Sequence, residues 1–146
     1  MTSIDRFAFA HCHNLTSIVI PDSVTNIGNG AFYDCSNLVS VSISNSVTSI
    51  GSRTFFECIN LASIVISANV KSIRVDAFKN CSALNVIHIV AKTKEDYERV
   101  KNLLPETLQQ KAQSCNEFKA KAEMILAAHK YSSGFFGANT LSTNSV

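Results

Sequence analysis

Seven apolar positions recur in phase every 23 residues through the first ninety residues of this 146-residue chain. Phe9, Phe32, Phe55 and Phe78 form one series, and Cys12, Cys35, Cys58 and Cys81 a second. Leu15, Leu38, Leu61 and Leu84 form a third, followed by Ile18, Val41, Ile64 and Ile87, then Ile20, Ile43, Ile66 and Ile89. Val24, Val47 and Val70 follow, and Ile27, Ile50 and Ile73 close the unit, with Ile4 in the same register. A period of this length marks a repeat architecture, because a unit so short cannot bury its own apolar face and must stack on its neighbours.

Spacing inside the unit predicts its local structure. Ile64 and Ile66 are two residues apart, so both point to one side of a strand, the inner side. Ser63, Val65 and Ser67 then point out. A polar turn follows, as in Pro21-Asp22-Ser23 or Ser44-Asn45-Ser46. Val47-Thr48-Ser49-Ile50 is a second short extended piece, ended by Gly51 as the equivalent piece before it is ended by Gly28, where a positive φ costs little. An Ala-Phe-x-x-Cys segment closes the unit with a ring and a thiol. Arg74, where glycine is expected, suggests a different bend in the last unit.

The segments Ile27-Gly28-Asn29-Gly30-Ala31-Phe32-Tyr33-Asp34-Cys35-Ser36-Asn37-Leu38 and Ile18-Val19-Ile20-Pro21-Asp22-Ser23-Val24-Thr25 resemble the BspA-like type of leucine-rich repeat. The resemblance covers roughly residues 1–90. It implies a repeat solenoid with a parallel strand layer, and a role in adhesion or interaction at bacterial or protist surfaces. The chain departs from the pattern where Pro21 becomes Ser44, Ser67 and Val90. The expected organisation is an array of about four repeats over 1–91 with an incomplete first unit, a helical C-terminal cap over 92–131 and a disordered tail over 132–146.

The two ends differ. Met1 is in phase with Val24, so the array opens inside a unit, leaving a strand edge and apolar side chains near Phe9, Leu15, Ile18 and Ile20 open to self-association. After Ile89 the two-residue alternation stops. Thr93 followed by Asp96 reads as a helix start, and Tyr97, Val100 and Leu103 or Leu104 give it an apolar stripe. Pro105 suits the first turn of a second helix. Leu108, Ala112, Cys115, Phe118, Ala122, Ile125, Leu126 and His129 recur at helical spacing, predicting about six turns packed over Leu84, Ile87 and Ile89 or offered to a partner. Ser, Gly, Asn and Thr dominate 132–146 around Phe135-Phe136.

Candidate chemistry is sparse. Neighbouring strands lie about 4.8 Å apart, while disulfide-bonded Cβ atoms prefer about 3.8 Å, so the cysteine series reads as buried free thiols. No C-x-x-C pair suggests zinc. His11-Cys12-His13 contains ligand types, but Cys12 belongs to the inward series, so both histidines are expected on solvated turns and no metal site is predicted. Asp5, Asp22, Asp34, Glu57 and Asp76 are expected at turns without convergence. A Ser63–His88 pair would still need an orienting acid and an oxyanion hole, and neither is legible. No P-loop or dinucleotide motif calls for a cofactor. The chain reads as a non-enzyme.

What remains is a surface. Ser17, Val19, Ser40, Ser42, Ser63, Val65, Val86 and His88 are the outward strand-layer positions, continued by Pro21, Ser44, Ser67 and Val90. This small, nearly uncharged face is the expected binding site for a protein partner. Four units span only about 15 Å, so a stable complex near the usual ~800 Å² per partner needs turns, helices or further copies as well. Net charge is +2, with five basic and five acidic side chains in residues 1–90 and no cationic stripe, so no nucleic-acid partner is expected. No apolar run reaches membrane-span length. The first residues lack a secretory signal, so the chain is expected in the cytoplasm as synthesised, with export by a specialised route open. An interaction scaffold is the leading reading. A secreted effector or adhesin acting on a host protein, and a truncated relic of a longer repeat protein, are the alternatives.

Overall fold

The computed structural model describes residues 2–115. Two sets of short parallel strands account for its first ninety residues. β2 (Ser17–Ile20), β4 (Ser40–Ile43), β6 (Ser63–Ser67) and β8 (Val86–Val90) lie side by side in one sheet, in that order. β1 (Thr2–Ile4) pairs with β3 (Val24–Ile27), and β5 (Ser49–Ile50) with β7 (Ser72–Ile73). Register in the larger sheet follows the repeat: Ile18 faces Val41, Val41 faces Ile64 and Ile64 faces Ile87. A slip of one residue would turn every isoleucine outward, so the apolar alternation holds the pairing in place.

The inward series form one continuous core. Phe32, Phe55, Leu38, Leu61, Val41, Ile64, Ile66, Ile87 and Ile89 are fully buried. The phenylalanines stack nearly parallel, with ring centroids 5.3 Å apart for Phe9–Phe32, 5.4 Å for Phe32–Phe55 and 5.5 Å for Phe55–Phe78. Each thiol beside them donates to the phenylalanine carbonyl of the unit before: Cys35 to Phe9 at 3.1 Å, Cys58 to Phe32 at 3.1 Å, Cys81 to Phe55 at 3.0 Å. Cys12, Cys35, Cys58 and Cys81 are all free. Burial pushes the Cys81 thiol up to about 12. The Cys35 side chain and burial raise the Cys58 thiol beyond ordinary titration. Both are packing groups in the thiol form at neutral pH.

The plug segments carry their own ladder. Phe9 N–H donates to the Ala31 carbonyl at 2.8 Å, Phe32 to Thr54 at 2.9 Å and Phe55 to Ala77 at 2.8 Å. His11, Asp34 and Glu57 make the equivalent bonds to Tyr33, Phe56 and Lys79. Phe7, His11, Asp34, Arg53, Glu57 and Asn80 adopt positive φ, between 56° and 67°, and the amides of Phe7, His11, Asp34 and Glu57 point along the stack to carbonyls of the next unit. The left-handed backbone expected at Gly28 and Gly51 falls instead two residues on, at Gly30 and Arg53. Gly28 serves close approach: a Cβ there would sit 2.6 Å from Arg6 N and 2.8 Å from Asp5 C. The unit that carries Arg74 does bend differently. Phe7, Gly30 and Arg53 share one repeat position and adopt positive φ, whereas Asp76 at the same position does not. The Arg53 N–H donates to the Asp76 carboxylate, where Gly30 donates to the Ser52 carbonyl. The bonds of Arg74 itself are kept: its N–H reaches Ile50 and its carbonyl accepts from Ala77, as Gly28 bonds Ile4 and Ala31.

Beyond the repeats the outcome is mixed. α1 (Lys94–Leu103) starts where expected, the Thr93 hydroxyl accepting from Asp96 N–H at 3.1 Å. Val100 and Leu104 are buried with the core. Arg99, unremarked in the sequence, reaches across to the Val70 carbonyl at 3.0 Å and to the Ala68 carbonyl. α2 (Glu106–Gln109) follows Pro105 but is a single turn. The long helix expected through Ala112 and Cys115 is not continuous there: Ala112–Cys115 is a strand, β9, which pairs parallel with β8. The edge of β8 offers a row of unpaired N–H and C=O groups, and a fifth strand satisfies them where a helix would not. The expected helical positions from Phe118 to His129 and the tail over 132–146 lie outside the described residues.

Gly28→Ala should destabilise the protein by about 1–3 kcal/mol, since a methyl group there meets backbone, not a side chain that can swing away. Urea denaturation measures the loss, and an unchanged midpoint would contradict the contact.

Candidate functional site

In-register pairing aligns the outward residues across the sheet. Ser17 faces Ser40, Ser40 faces Ser63 and Ser63 faces Val86; beside them Val19, Ser42, Val65 and His88 form a second row. The structure therefore brings all eight predicted positions onto one face. Their exposure is graded along it. Val19 is 65% exposed, Ser17, Ser42, Ser63 and Val86 are half-buried, and Ser40, Val65 and His88 are buried. Alternation shows which way a side chain points, not how open its surroundings are, and the open part of this face lies at β2. A shallow hollow of about 260 Å³ runs beside it, lined by Val19, Pro21, Asp22, Ser42 and Asn45 among others. His88 faces Val65 and not Ser63, so the pairing considered between His88 and Ser63 is not the one the register makes.

A second constellation arises on the turns. Residues 11, 34, 57 and 80 share one position in the repeat and all adopt positive φ, so their side chains meet across neighbouring units. Asp34 Oδ2 lies 2.8 Å from His11 Nδ1 and 3.3 Å from His13 Nε2. Asn80 donates to Glu57 at 2.7 Å. Asp76, four residues before Asn80, accepts from Ser52 Oγ at 2.9 Å and lies 3.7 Å from Arg53 Nε. His11 and His13 are exposed on their turn, as expected, while Asp34, Glu57 and Asp76, expected only as solubilising turn residues, each hold a side-chain hydrogen-bond partner. Hydrogen bonds from His11 and then His13 hold the Asp34 carboxyl below its ordinary value.

Asparagines tie the units together on the approach to the strands. Asn37 Nδ2 donates to the His13 carbonyl at 2.6 Å and Asn60 Nδ2 to the Ser36 carbonyl at 2.8 Å. A groove of about 610 Å³ runs beside them past His13, Asn14, Thr16 and Val39. The common position of Asn14, Asn37 and Asn60 in the repeat was the signal that could have revealed it.

With parallel strands, stacked rings and this turn chemistry in place, the class is defined: the chain belongs to the BspA type leucine rich repeat region family, whose pattern matches residues 2–100 in six copies. Solved structures share the fold. A leucine rich cell surface protein from Faecalibacterium prausnitzii is 30% identical, with a TM-score of 0.52 over 67% of this chain and 32% of its own. A leucine-rich repeat protein from Bacteroides ovatus is 40% identical, with a TM-score of 0.53 over 61% of this chain and 22% of its own. The pneumococcal vaccine antigen PcpA, 21% identical over 78% of this chain and 26% of its own, shares the fold at a TM-score of 0.54. The chain thus spans a third or less of the length of these structures. No curated protein matches it. Among the described residues no helix is long and apolar enough to cross a membrane.

A depressed carboxylate pKa contributes stability that is present above the unfolded value, about 4, and is lost as pH falls through the folded value. In metal-free buffer, Asp34→Asn should therefore lower the melting temperature at neutral pH, with the gap to wild type closing below about pH 4. A gap that persists unchanged in acid would show that Asp34 acts by some means other than its charge.

Proposed function

We propose that this chain is a non-catalytic protein-interaction module: a solenoid of 23-residue repeats over 1–91, with residues 92–115 closing its far side. The observation that carries the reading is the outward face at β2, where exposed Val19 stands beside half-buried Ser17 and Ser42 at a sheet edge that no strand of the described residues pairs. An apolar residue surrounded by small, uncharged neighbours suits contact with another protein surface and offers little electrostatic steering. Apolar side chains of the first unit add to it: Phe7 is 50% and Phe9 37% exposed. The edge of β2 also supports strand-to-strand contact, with a second copy or with further repeats.

The likeness to a cell surface protein favours a second reading, in which the module is exported and acts as an adhesin or effector outside the cell. The short coverage of its structural relatives supports a third, in which these units are part of a longer array.

Affinity capture with wild type and a Val19→Arg/Ser42→Arg double variant, matched for folding by circular dichroism, tests the proposal. A protein held by wild type and lost by the variant is the expected result. Equal capture by both would remove the strand face from the site.

A further inference from the structure

We infer that His11, His13 and Asp34 form a surface site for a first-row divalent metal ion, zinc in the first instance. The three ligand atoms, His11 Nδ1, His13 Nε2 and one Asp34 carboxylate oxygen, all lie within 4.8 Å of one another. A tetrahedral zinc ion with bonds of about 2.0–2.2 Å holds its ligand atoms roughly 3.4 Å apart. The observed separations from Asp34 Oδ2, 2.8 Å and 3.3 Å, need to open by about 0.6 Å and 0.1 Å, and the two histidine nitrogens, within 4.8 Å of each other, need to settle at the same spacing. Both rings can make these shifts, being 61% and 54% exposed.

The backbone beneath the site is already fixed. His11 N–H donates to the Tyr33 carbonyl at 2.7 Å, next to Asp34, and the His13 carbonyl accepts from Asn37 at 2.6 Å. His11 and Asp34 occupy equivalent left-handed positions in successive units, at φ 64° and 57°. The ligands are therefore held by the inter-unit ladder and not by a loose loop, so little chain ordering accompanies binding. The two imidazole planes stand at 78° to each other, so their nitrogens converge on the carboxylate from different directions.

Ligand type selects the metal. Two imidazoles and a carboxylate suit zinc, copper, nickel or iron, while calcium and magnesium prefer sets made of oxygen alone. On binding, each ring presents a lone pair at the coordinating nitrogen and carries its proton on the other one. Three protein ligands at an exposed position leave a fourth open to water or to a donor from another molecule.

Titration calorimetry of the tag-free full chain with zinc chloride tests the site, supported by cobalt(II) absorption spectra to report the ligand atoms. The expected result is an equivalent of zinc that the His11→Gln/His13→Gln variant loses and that Asp34→Asn binds at least about tenfold more weakly. Cys12→Ser should leave that equivalent in place, and cobalt should show no thiolate charge-transfer band from it. Retention of the equivalent by the folded double-histidine variant, or its loss in Cys12→Ser with a thiolate band in wild type, would overturn the proposal.

Discussion

Parallel in-register pairing is the constraint on which the rest of this structure depends. Once Ile18, Val41, Ile64 and Ile87 lie opposite one another, every other residue of the unit meets its equivalent in the next. The ring stack, the thiol series and the asparagine ties are then consequences of a single register. Each is modest by itself. A neutral hydrogen bond contributes about 1 kcal/mol net, and aromatic pairing about 0.5–1.5 kcal/mol beyond area burial. Repetition makes them add, and it concentrates their strength in the middle of the stack. Phe55 has a ring on both sides, whereas Phe9 has one and stays partly exposed.

The same register creates the surface chemistry. Stacking makes a column of any side chain at a fixed repeat position, so a change of residue type within a column places unlike groups in contact. At positions 11, 34, 57 and 80 the column reads His, Asp, Glu, Asn, and hydrogen bonds join its first two and its last two members. At positions 19, 42, 65 and 88 it reads Val, Ser, Val, His, and the column runs from open to buried. Drift that is neutral for the core thus diversifies the outside, which is how a uniform scaffold acquires a specific surface.

The core was legible because its residues repeat in phase: the inward positions of the second, third and fourth units are buried with few exceptions, Ile73 among them. The start of α1 was legible from Thr93 and Asp96. Three features were not. Positive φ at Phe7 and Glu57 leaves no glycine to mark it, because the ladder and not the side chain sets those angles. β9 was hidden because Leu108, Ala112 and Cys115 also fit a helix, and local periodicity is blind to the unpaired edge of β8. The meeting of His11 and His13 with Asp34 was hidden for a related reason. Alternation along a strand says nothing about side chains on left-handed turns, although the 23-residue offset between His11 and Asp34 held the clue.

Comparing Phe55→Ala with Phe9→Ala by urea denaturation tests most directly the claim that inter-unit stacking holds the fold. The two changes remove the same atoms from the same repeat position. The account predicts a loss of about 3–5 kcal/mol for Phe55→Ala, the range for a fully buried ring, and less than half of that for Phe9→Ala. Equal losses would mean that each ring acts within its own unit, and would contradict the central role given to the stack.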